Sequence, residues 1–153
     1  MLVARVSDDL FTATTPMSPR GSIGGHLRHV LDFYWSLLTG IEKGKIDYNQ
    51  RERNTLIEQD RLVAVERIRS TIDRLAELAD LELHEQMLVS GECADSWSRS
   101  SAKRELDFLL SHTIHHYSLI AMILRLHEID PGEEFGVAPS TLRHWRQETV
   151  CAQ

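Results

Sequence analysis

Three of the chain's eight histidines fall within a few residues of one another, and their spacing invites metal chemistry. His112, His115 and His116 sit in the middle of E-L-D-F-L-L-S-H-T-I-H-H-Y-S-L-I-A-M-I-L-R-L, residues 105–126, the longest apolar run in the sequence. On a helix, His112 and His116 stand one turn apart, about 40° around the wheel, with Leu119 and Ile123 beside them and Phe108 and Leu126 just beyond. Polar groups on an apolar stripe are costly unless something satisfies them. A divalent metal would do so, because neutral imidazole is the commonest biological metal ligand and the i,i+4 spacing brings two ring nitrogens to one point. Hydrogen bonds inside a packed core would do so too, and H-x-x-x-H alone does not choose between them. His115 points elsewhere, toward a polar edge with Asp107, Ser111 and Ser118.

A labile or catalytic metal needs a third protein ligand and an open position. The segment G-G-H-L-R-H-V-L-D, residues 24–32, offers His26 and His29. His26 lies nearer the centre of that segment's apolar face, and His29 lies at its edge beside Asp32 and Ser36. A rim ligand is easier for a substrate to reach, so the wheel leaves the two level. The other histidines suit quieter roles: His84 in a turn-rich stretch, His127 at a helix end where imidazole complements the dipole, His144 in the tail. Cys93 has no basic neighbour to lower its pKa, and with Cys151 it forms neither C-x-x-C nor a disulfide framework. G-x-S-x-G, the P-loop and G-x-G-x-x-G are all absent, so three common enzyme classes find no support.

The elements that must position these residues are helical. Ser22 is a candidate cap for a helix running to about residue 42, with Ile23, Leu27, Val30, Leu31, Tyr34, Leu38 and Ile41 at helical spacing. Gly24 and Gly25 weaken its first turn, which calls for a close-packing reason. Leu62, Val65, Ile68, Ile72, Leu75 and Ala79 form an amphipathic stripe over 58–80. Ser100 or Ser101 caps the fourth helix, with Glu105 favourable near its start, and Asp130-Pro131-Gly132 stops it. Residues 2–12 predict a short helix ending near Phe11, too short to stand without packing on something. The charged segment 42–54 reads as a solvated connection, residues 81–99 as one short β-hairpin between helices three and four, and the tail as a docked turn or short helix. The expectation is an all-α chain, a single domain over 1–153 folded as a four-helix bundle, whose core is where facing helices build metal sites.

Composition bounds the function. Hydrophobic residues at 42% and charged residues at 26% are ordinary for a globular chain. A net charge of -6 argues against nucleic-acid binding. No stretch approaches the roughly 20 apolar residues of a membrane span, and the N-terminus lacks a signal-peptide layout, so cytoplasm is the expected location.

The residues resemble the DinB-like (DinB/YfiT-type) metalloenzyme superfamily. G-S-I-G-G-H-L-R-H-V-L-D, residues 21–32, looks like the family's second helix with its single ligand histidine. F-L-L-S-H-T-I-H-H-Y-S-L-I, residues 108–120, resembles the H-x-x-x-H of its last long helix. The likeness covers about residues 18–127, and I-D-Y-N-Q-R-E-R and F-G-V-A-P-S-T-L-R match one subgroup. The family pattern places apolar residues six before, two before and just after the ligand, and an acid three after. Ile23, Leu27, Val30 and Asp32 meet it for His29, whereas His26 would be preceded by Arg20 and Gly24. The resemblance thus implies His29, His112 and His116 as ligands of a zinc or nickel ion, with His115 as the frequent non-ligand histidine.

It further implies an up-down-down-up bundle, often a homodimer, and a small-molecule substrate. Family activities include S-transfer from low-molecular-weight thiols and mycothiol-dependent maleylpyruvate isomerisation. Two departures stand out. Where many members continue the second ligand as H-R-G-Q, His116 is followed by Tyr117, Ser118 and Leu119. The first helix is also short against the family's, which places the recorded start inside it and leaves one side of the bundle thinly covered. The expected chemistry is Lewis-acid activation of a thiol or of water, giving a thiol S-transferase or hydrolase. Asp32 is the nearest candidate base or ring-orienting partner, and Asp47, Tyr48, Arg51 and Arg53 lie where a loop could reach the site mouth. The alternatives are a non-catalytic metal-binding module and a metal-free helical bundle.

Overall fold

The structure, a computed structural model, describes residues 2–15, 21–78, 86–91 and 96–151. It is mostly helical, with a small three-stranded sheet. The helices are α1 Asp8–Thr12, α2 Ile23–Gly40, α3 Thr55–Gln59, α4 Arg61–Leu78, α5 Ala102–Leu126 and α6 Pro139–Cys151. The strands are β1 Lys45–Asp47, β2 Met87–Ser90 and β3 Trp97–Ser100.

Helix α2 is the hub, packed on α3, α4 and α5. Ser22 caps it as its chemistry predicts, its Oγ accepting the Gly25 N–H at 2.9 Å, an interaction worth about 1 kcal/mol. The close-packing reason belongs to Gly24. A Cβ there would come within 2.3 Å of the Glu58 carbonyl oxygen and 2.7 Å of the Phe11 ring. The short α1 thus reaches α2 through Phe11, which is fully buried.

Two readings need correction. The helix expected over 58–80 is broken at Asp60, whose backbone is extended and whose carboxylate accepts the N–H groups of Leu62 and Val63, ending α3 and capping α4. Its buried positions are Ile57, Ala64, Thr71 and Leu78, seven apart, whereas Leu62 and Ile72 are exposed. The segment read as a solvated connection is β1 followed by a 3-10 turn, with Ile46 and Tyr48 both buried. Period-two burial of those two residues was masked by the charges around them. The tail, expected as a turn or short helix, forms the 13-residue helix α6.

The hairpin is present. β2 pairs antiparallel with β3, Val89 opposite Ser98, and β1 adds parallel to β2 with Ile46 opposite Val89. His84 and Cys93, expected in that region, lie outside the described residues. Ser101 rather than Ser100 caps α5, accepting from the Arg104 N–H. Beyond α5 the chain folds back on it. The Phe135 ring stacks on Tyr117 with centroids 4.8 Å apart, and Ser118 Oγ donates to the Gly136 carbonyl. Gly136 takes a φ of +77, and a Cβ would come within 2.7 Å of the Ser118 nitrogen, so only glycine fits.

Two apolar clusters result, one around Phe33, Leu37, Tyr48 and Leu109, the other around Phe11, Leu27, Ile120 and Leu124. An apolar cavity of ≈ 210 Å³ is lined by Leu2, Val3, Leu27, Ile68, Tyr117 and others. Among the described residues no helix is long and apolar enough to cross a membrane.

Candidate metal centre

Along the seam between α2 and α5, between the two clusters, His29, His112 and His116 come together. One ring nitrogen of each lies within 4.8 Å of the others. His112 Nε2 is 3.2 Å from His29 Nε2 and 3.0 Å from His116 Nε2. All three side chains are half-buried. His112 and His116 continue the stripe of α5 that buries Glu105, Leu109, Ile120 and Ile123, yet they are only half-buried where those residues are fully buried.

Aromatic rings hold this trio. Phe33, one turn after His29, packs edge-on against both His29 and His112, at centroid distances of 5.0 and 4.5 Å. Phe108, one turn before His112, stacks on it at 5.7 Å with the planes 14° apart. The i,i+4 pairing of each Phe with a histidine was legible in the sequence but carried no motif to flag it. Behind Phe108, the buried Tyr48 hydroxyl donates to Glu105 Oε2 at 3.0 Å, and Ser100 and Arg104 donate to Oε1 of the same fully buried carboxylate. Burial, reinforced by the Glu105 charge and hydrogen bond, raises the Tyr48 pKa and keeps the phenol protonated.

Of the loop residues, Tyr48 and Arg51 both pack on Phe33 beside the trio. The Arg51 guanidinium lies 4.3 Å above the Phe33 ring while Nη1 donates to the Tyr48 carbonyl. Asp47 instead caps the 3-10 turn through the Asn49 N–H, and Arg53 donates to the Asn49 carbonyl. Asp32 is buried and ion-paired with Arg28 at 3.0 Å, and Arg28 also holds Glu58 at 2.6 Å. Burial raises the Asp32 pKa, and Arg28 opposes the rise.

Both histidines of α2 reach the centre, but differently. His29 presents Nε2 to the trio, whereas His26 Nδ1 lies 3.0 Å from Nδ1 of His116, on the far side of that ring. Burial, then the neighbouring rings of His29, His112, His26 and His115, lower the His116 pKa to about 3. His26 is lowered too, by burial first and His115 second. These rings are neutral near pH 7, the state in which imidazole ligates. His115, His127 and His144 are exposed.

The donor set fits a divalent ion. A tetrahedral zinc with Zn–N bonds of about 2.0–2.1 Å requires nitrogens about 3.3–3.4 Å apart, and separations of 3.0 and 3.2 Å need only a small spreading of the rings. Three imidazoles leave a fourth position open, as in catalytic rather than closed structural sites.

The chain is 33% identical over 108 residues to FK506-binding protein 5 of Rhizopus delemar, an alignment that covers 67% of this chain. It spans only 28% of that protein's length. No family model matches the chain. No solved structure matches it either.

Proposed function

We propose that this chain is a DinB-like metalloenzyme in which His29, His112 and His116 hold a divalent zinc or nickel ion for thiol S-transfer or hydrolysis. The observation that carries the reading is the convergence of three imidazoles on one point at a half-buried seam. The order of elements supports the family. A long helix bears one donor histidine, further helices and a hairpin follow, and a second long helix bears H-x-x-x-H, as an up-down-down-up four-helix bundle requires. The same reading gives the protein a small-molecule substrate such as a low-molecular-weight thiol, a homodimeric state and a cytoplasmic setting, with no nucleic-acid or membrane partner.

A divalent ion in this position supplies Lewis acidity, lowering the pKa of a thiol or water toward neutrality. The chain's own residues do the rest. The three histidines present Nε2 atoms to one point. Phe33 and Phe108 fix two of those rings and keep water from their flank. Arg51 sets positive charge over Phe33, where it favours an anionic reactant. Asp32 is engaged by Arg28, so its part is to tie α2 to Glu58 rather than to take a proton.

Metal analysis of protein purified without a histidine tag tests the site. A stoichiometric metal, lost in His29→Ala, His112→Ala or His116→Ala, is expected; retention in all three would sink the reading. The nitrogen separations are also hydrogen-bond distances, which favours a metal-free network as the second reading. Turnover of monochlorobimane with a panel of low-molecular-weight thiols separates an enzyme from a metal-binding module.

A further inference from the structure

His26 neighbours the trio, but its geometry excludes it from the trio itself. It approaches His116 from behind, Nδ1 to Nδ1 at 3.0 Å, with ring centroids 5.2 Å apart and planes inclined by 48°. Two ring nitrogens at that distance share a single proton, one donating and the other accepting.

The position of that proton decides whether His116 can ligate. A ligating nitrogen must offer a lone pair, so a neutral His116 that binds through Nε2 must carry its proton on Nδ1. That proton points at His26. With the proton on His26 Nδ1 instead, His116 is protonated on Nε2 and aims an N–H at His112 Nε2, 3.0 Å away, where an ion would sit.

We propose that His26 is a positioning residue for the metal centre: its Nδ1 accepts the Nδ1–H of His116, which leaves Nε2 of His116 bare toward His29 and His112. This rests on the three-histidine reading above. In that arrangement His26 carries its own proton on Nε2, a buried atom without a hydrogen-bond partner among the described residues. An unpartnered buried donor is a cost to the fold, of the kind concentrated at functional sites.

The choice of an imidazole for this task has an electrostatic consequence. Ligating histidines commonly donate to a carboxylate, which raises the basicity of the ring and moderates the charge of the ion. A neutral imidazole orients the ring equally well and adds no negative charge. An ion held by His116 would therefore keep more of its electron-withdrawing power, as activation of a weakly acidic thiol or water demands.

The test uses the full chain labelled with 15N on histidine. An N–H···N bond transmits a scalar coupling between its two nitrogens, and that coupling is expected between His26 Nδ1 and His116 Nδ1. Zinc affinity, measured by competition with a chromophoric chelator, is expected to fall about 10–100-fold in His26→Phe, the usual effect of losing such a partner. His26→Gln, whose amide oxygen can accept the same proton, should stay close to wild type. Absence of the coupling, wild-type affinity in His26→Phe, or a Gln variant as weak as the Phe variant would each overturn the proposal. Should the unmodified protein take up no zinc, the proposed function falls by itself, and the coupling, read on metal-free protein, still decides the His26–His116 contact.

Discussion

Tyr48 donates its phenolic proton to Glu105 across 57 positions of sequence, and both side chains are buried. The bond joins the turn after β1 to the first turns of α5, directly behind Phe108 and therefore one ring away from His112. Tyr48→Phe would leave a buried carboxylate one donor short, a loss of about 1–3 kcal/mol. Urea denaturation should show the midpoint falling with an unchanged slope. A midpoint equal to wild type would mean that Ser100 and Arg104 satisfy Glu105 without help.

Metal removal should be felt globally. An ion that binds the folded chain alone stabilises it by about 4 kcal/mol at a thousandfold excess over its dissociation constant. Thermal unfolding before and after chelation, and again after zinc is restored, should show a reversible fall in Tm. The same treatment should leave Tm unmoved in His112→Ala.

Acid should unfold the metal-free chain through its histidines. The folded pKa of His116, about 3, lies below the ordinary imidazole value of 6.5, and that of His26 is also lowered. Between those values the unfolded chain binds more protons than the folded one, so stability falls as pH drops through this window and rises as pH climbs back. Asp32, raised by burial, works in the opposite sense over the carboxylate range. Chelated wild type should therefore lose Tm from pH 6.5 downward, and His116→Phe should lose less. Parallel curves for the two proteins would assign the acid sensitivity elsewhere.

Gly24 and Gly25 are neighbours with different duties. Gly24→Ala must displace the Glu58 carbonyl or the Phe11 ring, at about 1–3 kcal/mol for overpacking. Gly25→Ala meets only the Ser22 hydroxyl at 3.3 Å and gains helix propensity, so its effect on Tm should be much the smaller. A larger loss at Gly25 would place the critical contact at the cap.

Much of the site's scaffold could be read from residue order alone. Ser22 announced the start of α2, the pair Ser100 and Ser101 that of α5 to within one residue, and the i,i+4 pair His112 and His116 one face of the centre. What escaped did so for physical reasons. Ile46 and Tyr48 are two buried positions among many charges, so average polarity concealed a strand that matters through its partners β2 and Glu105. Asp60 caps one helix while ending another, a dual role that looks like an uninterrupted helix when only apolar spacing is counted. The division of labour between His26 and His29 depends on which ring nitrogen of His116 each one meets. No periodicity contains that information.

The trio also has a reach along the chain that its compactness in space conceals. His29 and His112 are 83 positions apart. An ion shared between them would behave as a reversible cross-link closing a loop of that length, in which β1, α3, α4 and the hairpin are all contained. By polymer statistics such a closure is worth on the order of 4 kcal/mol of denatured-chain entropy, if the tie persists in the denatured chain. Metal supply would then act on the lifetime of this protein as well as on its chemistry. A cell short of the ion would hold a chain whose two central helices are joined by packing alone.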